Sequence, residues 1–138
     1  MQTWNAELLH TNKLFHGEGA IWYPTWKKFL FVDIENCKVG CIDPITKMVE
    51  ERNVDKRIGT VVPATNGSLI VALEGSIEEL NFETGERKKL IYLEPGKPMN
   101  RCNDGKCDAA GRLWFGTMHK EAKLKEGALY FYDGSLQK

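Results

Sequence analysis

Polar chemistry is concentrated in one stretch, Met99-Asn100-Arg101-Cys102-Asn103-Asp104-Gly105-Lys106-Cys107-Asp108. Arg101, Asn103 and Asp104 place a cation, an amide and a carboxylate within four residues, with Gly105 directly after them. The run then meets a turn signal at Asp108-Ala109-Ala110-Gly111 and an apolar, strand-like Leu113-Trp114-Phe115. Polar groups this close, leading into a strand pair, look placed for use. A surface loop whose Asn and Asp form local turns fits the same residues.

Glu18, between Gly17 and Gly19, is the second candidate. Flanking glycines let backbone approach closely, which suits a carboxylate at a channel mouth. On spacing alone, a solvated turn acid is the favoured reading. If Glu18 opens an inner strand, alternation puts Glu18, Ala20 and Trp22 on one face, and Arg101, Asn103, Gly105 and Cys107 on one face of another strand. An acid, a guanidinium and an amide converging at one end would suit an oxygen-rich ligand with a divalent cation. His10, His16 and His119 lack a nucleophile partner or a second His at ligand spacing and read as surface histidines. No Gly-rich phosphate loop and no serine triad signature is present.

The elements that must position these groups are short and extended. Trp4 to Leu9 reads as a strand. Gly17–Trp22, Phe29–Ile34, Val39–Asp43 and Met48–Glu50 follow, with turns between them. The order recurs from Ile58 to Leu93, and again from Arg101, where the third copy looks cut off before its outer strand. Phe29, Leu69 and Leu113 superpose with steps of 40 and 44 residues. That is the period of a four-stranded propeller blade, roughly 40–45 residues. The fold class is therefore all-β, with a β-sandwich as the competing architecture. Blades fall at about 17–53, 57–94 and 100–138. Propellers close with about four to eight blades, so this looks like a partial ring. Either it is a fragment, or two or more chains complete one another, since open edges invite pairing and self-association.

At 138 residues, 42% apolar and 28% charged, the chain reads as one soluble domain. Its 19 basic and 19 acidic residues balance, which gives no argument for nucleic acid or a membrane surface as partner. No apolar run approaches a membrane span. The first residues show no signal peptide, so the expectation is a cytoplasmic protein with free thiols at Cys37, Cys41, Cys102 and Cys107. Cys37 and Cys41, if on one strand, share a face and pack; their spacings fit structural zinc poorly.

Gly17-Glu18-Gly19-Ala20-Ile21-Trp22, Phe31-Val32-Asp33-Ile34, Arg101 to Asp108, Gly111 to Met118 and Gly127-Ala128-Leu129-Tyr130 together resemble the SMP-30/gluconolactonase/luciferin-regenerating-enzyme family, over about the first half of a member. The resemblance implies a six-bladed β-propeller, of which this chain holds roughly the first three blades. It implies a divalent metal cation, calcium or zinc, with Glu18 as its first ligand. Arg101, Asn103 and Glu121 match substrate contacts for a sugar lactone. No catalytic residue falls within this chain, since the family's base is expected beyond Lys138. The implied function is metal-dependent lactone hydrolysis with half the site present. A calcium-binding regulatory protein without turnover, or a half-propeller interaction module or inactive fragment, are the other readings.

Overall fold

The computed structural model describes residues 2–138. Twelve strands form three four-stranded antiparallel sheets, each a meander in chain order. The first holds β1 (Gly17–Tyr23), β2 (Lys28–Asp33), β3 (Lys38–Ile42) and β4 (Val49–Asn53). The second holds β5 (Ile58–Pro63), β6 (Leu69–Leu73), β7 (Ser76–Leu80) and β8 (Arg87–Tyr92). The third holds β9 (Asn100–Cys107), β10 (Leu113–His119), β11 (Leu129–Tyr132) and β12 (Leu136–Gln137). These are three blades of a propeller, with the first strands β1, β5 and β9 side by side on the inner edge.

The sheets stack because the middle one is apolar on both faces. In β6, Leu69, Val71 and Leu73 enter one core with Leu30, Val32 and Val39 of the first sheet. Ala72, on the opposite face, enters a second core with Leu113, Phe115 and Tyr130 of the third sheet. Alternation of period two thus feeds two interfaces at once, and Leu-Ile-Val-Ala-Leu reads as a continuous apolar run. The outward faces of the end sheets carry aromatic pairs, Trp22–Phe29 and Trp114–Phe131, each with ring centroids 4.9 Å apart.

Several expectations need correction. No strand precedes Gly17 among the described residues; Trp4 and Leu8 lie exposed, with no neighbouring strand to pair with. The third copy does reach a fourth strand, the two-residue β12 paired with Phe131 and Tyr132. Cys37 sits in the β2–β3 turn with a positive φ of 55°, outside the strand that holds Cys41, so the two share no face. All four cysteines are free. His119 is buried, not superficial: it continues the inward side of β10 after Leu113, Phe115 and Thr117.

The β9–β10 turn hangs on one carboxylate. Asp108 accepts hydrogen bonds from the Ala110 and Arg112 backbone N–H groups, from Arg112 Nε at 2.7 Å and from Trp114 Nε1 at 2.9 Å. The Trp114 bond foremost, with the others, holds its pKa at about 2, below the usual 3.8. A depressed carboxylate stabilises the fold fully above the unfolded value, and that contribution is lost as pH falls through the folded value. Stability should therefore decline between about pH 4 and pH 2, and Asp108→Asn should flatten this limb. Urea midpoints across that window check it; an unchanged acid limb in Asp108→Asn refutes it.

Candidate functional site at the inner-strand end

Each sheet starts its inner strand from the same end, so the loops β2–β3, β4–β5, β6–β7 and β10–β11 gather there. Salt bridges record this gathering. Arg57 (β4–β5) pairs with Glu35 (β2–β3) at 2.8 Å and approaches Glu74 (β6–β7) at 3.7 Å. Glu74 also accepts from Lys120, in the β10–β11 loop. Glu18, at the start of β1, and Arg101, at the start of β9, therefore lie at one end of the molecule. Glu18 is among the charges that act on the Arg101 guanidinium.

All three inner strands carry an extra residue near this end, a β-bulge. In β1 it falls between Glu18 and Ile21, where Gly19 adopts a φ of 65°. Glu18 pairs with Val32 but Trp22 pairs with Phe29, so Glu18 and Trp22 lie on opposite faces, not on one as simple alternation suggested. In β9 the bulge takes up Asn103 and Asp104. Arg101 pairs with Met118 whereas Gly105 and Cys107 pair with Phe115 and Leu113, so Arg101 again faces away from both. A one-residue slip flips a side chain across the sheet, and the bulge is how the strand re-aims its polar groups.

Entry into β1 is fixed by Asp33, which is buried. Its carboxylate accepts from the Phe15 and His16 backbone N–H groups at 2.9 and 3.0 Å and from Asn36 Nδ2 at 2.8 Å. Burial pushes its pKa up, but these hydrogen bonds outweigh burial and the net shift is downward. Glu18 follows this anchor, half-exposed, with His16 Nε2 3.8 Å from its carboxylate. It lines a cavity of about 180 Å³ with Ala20, Val61, Asp104, Gly105 and Lys106, so β1 and β9 meet across β5.

Arg101 is only 6% exposed. Its Nη1 donates to the Cys102 carbonyl and to Asn103 Oδ1, both at 2.9 Å, which locks the guanidinium and amide together. No carboxylate pairs with it among the described residues. Burial lowers its pKa, with Arg57 acting in the same direction and Glu35 and Glu18 against it. Glu121 stands apart: it is exposed, its carboxylate pairs with Lys123 at 2.7 Å, and its backbone N–H donates to His119 Nδ1. From that loop it is Lys120, not singled out in the sequence, that enters the charged network.

Calcium takes six to eight oxygens. Glu18 and Asp104 line one cavity. Among the described residues, however, no three His, Cys, Asp or Glu side chains come together in a group able to hold a metal ion. The donors present do not make a cation site by themselves, and nothing favours zinc.

Comparison with known proteins bears on this arrangement. The sequence matches the SMP-30/Gluconolactonase/LRE-like region over residues 16–138. The chain belongs to the SMP-30/gluconolactonase/LRE-like family. Among curated relatives, regucalcin of Xenopus laevis is 37% identical over 107 residues, covering 78% of this chain and 36% of the relative. Human regucalcin is 33% identical over 119 residues, covering 83% and 40%. The chain thus spans less than half the length of the curated family members it matches. A solved luciferin-regenerating enzyme is 30% identical with a TM-score of 0.83, over 91% of this chain and 45% of that one. A calcium-binding protein, regucalcin from Agrobacterium tumefaciens, shares the fold at a TM-score of 0.89 and 21% identity, over 94% of this chain and 44% of that one. A gluconolactonase from Xanthomonas campestris shares it at 0.71 and 19%, over 91% and 48%. Among the described residues, no helix is long and apolar enough to cross a membrane.

Proposed function

We propose that this chain supplies the sugar-contacting part of a lactone-hydrolase site. The observation that carries this is the Arg101 guanidinium: buried, without a carboxylate partner among the described residues, and locked to Asn103 at the end where Glu18 stands. A buried guanidinium that no protein carboxylate neutralises is suited to ligand oxygens, since its donors stay rigid and poorly solvated. Arg101 and Asn103 would bind the hydroxyl and carbonyl oxygens of a sugar lactone. Glu121 would reach such a ligand only after leaving Lys123. Glu18 would offer a single carboxylate toward a divalent cation, too few donors to assign a hydrolytic step to the metal from this chain. The free cysteines favour a reducing compartment such as the cytoplasm.

Isothermal titration with gluconolactone and with calcium tests this. The 138-residue chain should bind gluconolactone in the millimolar range and hydrolyse it no faster than buffer. It should bind calcium more weakly than about 1 mM. Arg101→Ala should weaken lactone binding by at least about tenfold, the loss of charged hydrogen bonds to ligand oxygens. Equal lactone binding by Arg101→Ala overturns the proposal.

A further inference from the structure

Asn66-Gly67 is the single asparagine–glycine pair in the sequence. It sits in the turn joining β5 to β6, at the end of the molecule opposite Glu18 and Arg101. Thr65, Asn66 and Gly67 are exposed, and Gly67 adopts a φ of 87° with no atom within 4 Å of where a β-carbon would stand. Two backbone bonds close the turn: Ala64 N–H donates to the Ser68 carbonyl at 2.9 Å, and Gly67 N–H to the Ala64 carbonyl at 3.3 Å. The Asn66 side chain is clamped as well. Its Nδ2 donates to Glu79 Oε1 at 2.7 Å, and its Oδ1 accepts from the Ser68 backbone N–H at 3.1 Å. The Ser68 hydroxyl lies 2.6 Å from Asn66 Oδ1 and 2.7 Å from Glu79 Oε1, and its one proton serves either. The bonds from Asn66 and Ser68 hold the Glu79 carboxyl below its ordinary pKa, so it is ionised at neutral pH.

An asparagine before glycine carries a reactive pair: a carboxamide carbon, and a following backbone nitrogen that no side chain shields. Joining the two makes a five-membered ring. In the closed turn the Gly67 N–H is committed to Ala64, and the Asn66 amide to Glu79 and Ser68, so the reaction waits for local opening. We infer that Asn66 is a self-modification site, converted through a cyclic imide to a carboxylate that opposes Glu79 and weakens the β5–β6 hairpin. Solvent base takes the Gly67 amide proton, and the nitrogen bonds to Asn66 Cγ. The Cγ–Nδ2 bond breaks, and Nδ2 leaves as ammonia with a proton drawn from water. Water then opens the imide at either carbonyl. Aspartate results at position 66, or isoaspartate where the backbone is rerouted through the side chain. The net change is one water consumed and one ammonia released, with no oxidant or reductant. The product exchanges the donor that met Glu79 for a second negative charge, and isoaspartate also lengthens the backbone of a tight turn. Glu79 is thus both the clamp that slows the reaction and the group its product repels.

The test is peptide mapping by mass spectrometry of the full chain held at mildly alkaline pH, with ammonia release followed alongside. Conversion to aspartate and isoaspartate should concentrate at position 66. The urea-unfolded chain should convert at least about tenfold faster than the folded one. Asn66→Gln, which would need a six-membered ring, should remove the fast phase of ammonia release. Glu79→Ala should speed conversion in the folded chain about threefold or more, since the bond from Nδ2 to a carboxylate is lost. Asn66→Asp stands in for the product and should lower the folding constant about threefold. Adding Glu79→Gln to that chain should restore most of the loss, because its NH₂ donates back across the same contact. Four results overturn the inference: fast ammonia release that persists in Asn66→Gln, equal conversion in folded and unfolded chains, a Glu79→Ala rate no higher than that of the unaltered chain, or an Asn66→Asp stability that matches it.

Discussion

Gly59→Ala should be among the most damaging single substitutions in this chain. Gly59 lies in β5 where the second blade meets the third. A β-carbon there would stand 2.5 Å from the Cys102 carbonyl carbon, 2.7 Å from the Asn103 nitrogen, and closer still to the Asn103 carbonyl oxygen. All three are backbone atoms of β9, so no rotamer change relieves the clash. Thr60 beside it donates to the Gly105 carbonyl at 2.9 Å, which ties the same two strands together. Overpacking a tight core costs typically about 1–3 kcal/mol, occasionally more. The rigid partner puts this case at about 3 kcal/mol or above. Such a loss is a large share of the ~5–15 kcal/mol that holds a domain folded. Because the displaced backbone belongs to Cys102 and Asn103, the Arg101–Asn103 lock should loosen too. Gly96→Ala is the control, with no atom within 4 Å of the added carbon; it should shift stability by less than about 0.5 kcal/mol. Urea denaturation of both variants checks this. A Gly59→Ala midpoint matching that of Gly96→Ala would show that the blades have room to part there.

The sequence reveals the fold more readily than the site. Phe29, Leu69 and Leu113 recur at blade spacing because each is the first or second residue of a blade's second strand, and strand spacing survives in a linear pattern. That Glu18 and Arg101 share one end also follows from a meander, in which every inner strand runs the same way. Which face each side chain takes does not follow. The bulges after Glu18 and at Asn103-Asp104 insert one residue each, and period-two counting then assigns Trp22 and Gly105 to the wrong side. Gly19, with its φ of 65°, was the visible hint of the first bulge. The Glu35–Arg57–Glu74–Lys120 chain joins loops of all three sheets and leaves no local signature. His119 was legible after all: counting by twos from Leu113 through Phe115 and Thr117 lands on it, with no bulge falling on that strand. Asp33 was seen only as part of a strand, because its role of holding the chain entering β1 needs partners at 15 and 16 to be placed first.

The second large effect is expected at Glu94, in the link between the second and third sheets. Its side chain is 7% exposed, and its carboxylate gathers Tyr130 OH at 2.9 Å, Asn100 Nδ2 at 2.9 Å and Thr117 Oγ1 at 3.2 Å, with Lys97 Nζ 3.7 Å away. These donors come from β9, β10 and β11, so one carboxylate pins three strands of the third blade to the preceding link. Glu94→Ala leaves Tyr130 OH and one Asn100 N–H without an acceptor, while the other Asn100 N–H keeps the Glu126 carbonyl and Thr117 Oγ1 can turn to the Ala128 carbonyl; unmet buried donors cost about 1–3 kcal/mol each before relaxation. A net loss of about 3–5 kcal/mol is expected, in the range for breaking a buried charged cluster. Glu94→Gln keeps one acceptor oxygen but turns an NH₂ toward the donors, so it should fall between. Tyr130→Phe removes a single bond, worth about 1 kcal/mol. Burial, with the Glu94 hydrogen bond and charge, raises the Tyr130 pKa to about 12. A raised pKa favours the protonated form in the folded state, so its contribution is whole below pH 10 and is lost as pH rises toward 12. Tyr130→Phe should remove that alkaline decline, whereas Glu94→Ala should only weaken it, because burial persists. Thermal and urea unfolding of the three variants across this window measure the ordering. Equal, small losses in all three would mean that water meets the carboxylate and that Leu93, Cys102 and Phe115 hold the seam by apolar packing alone.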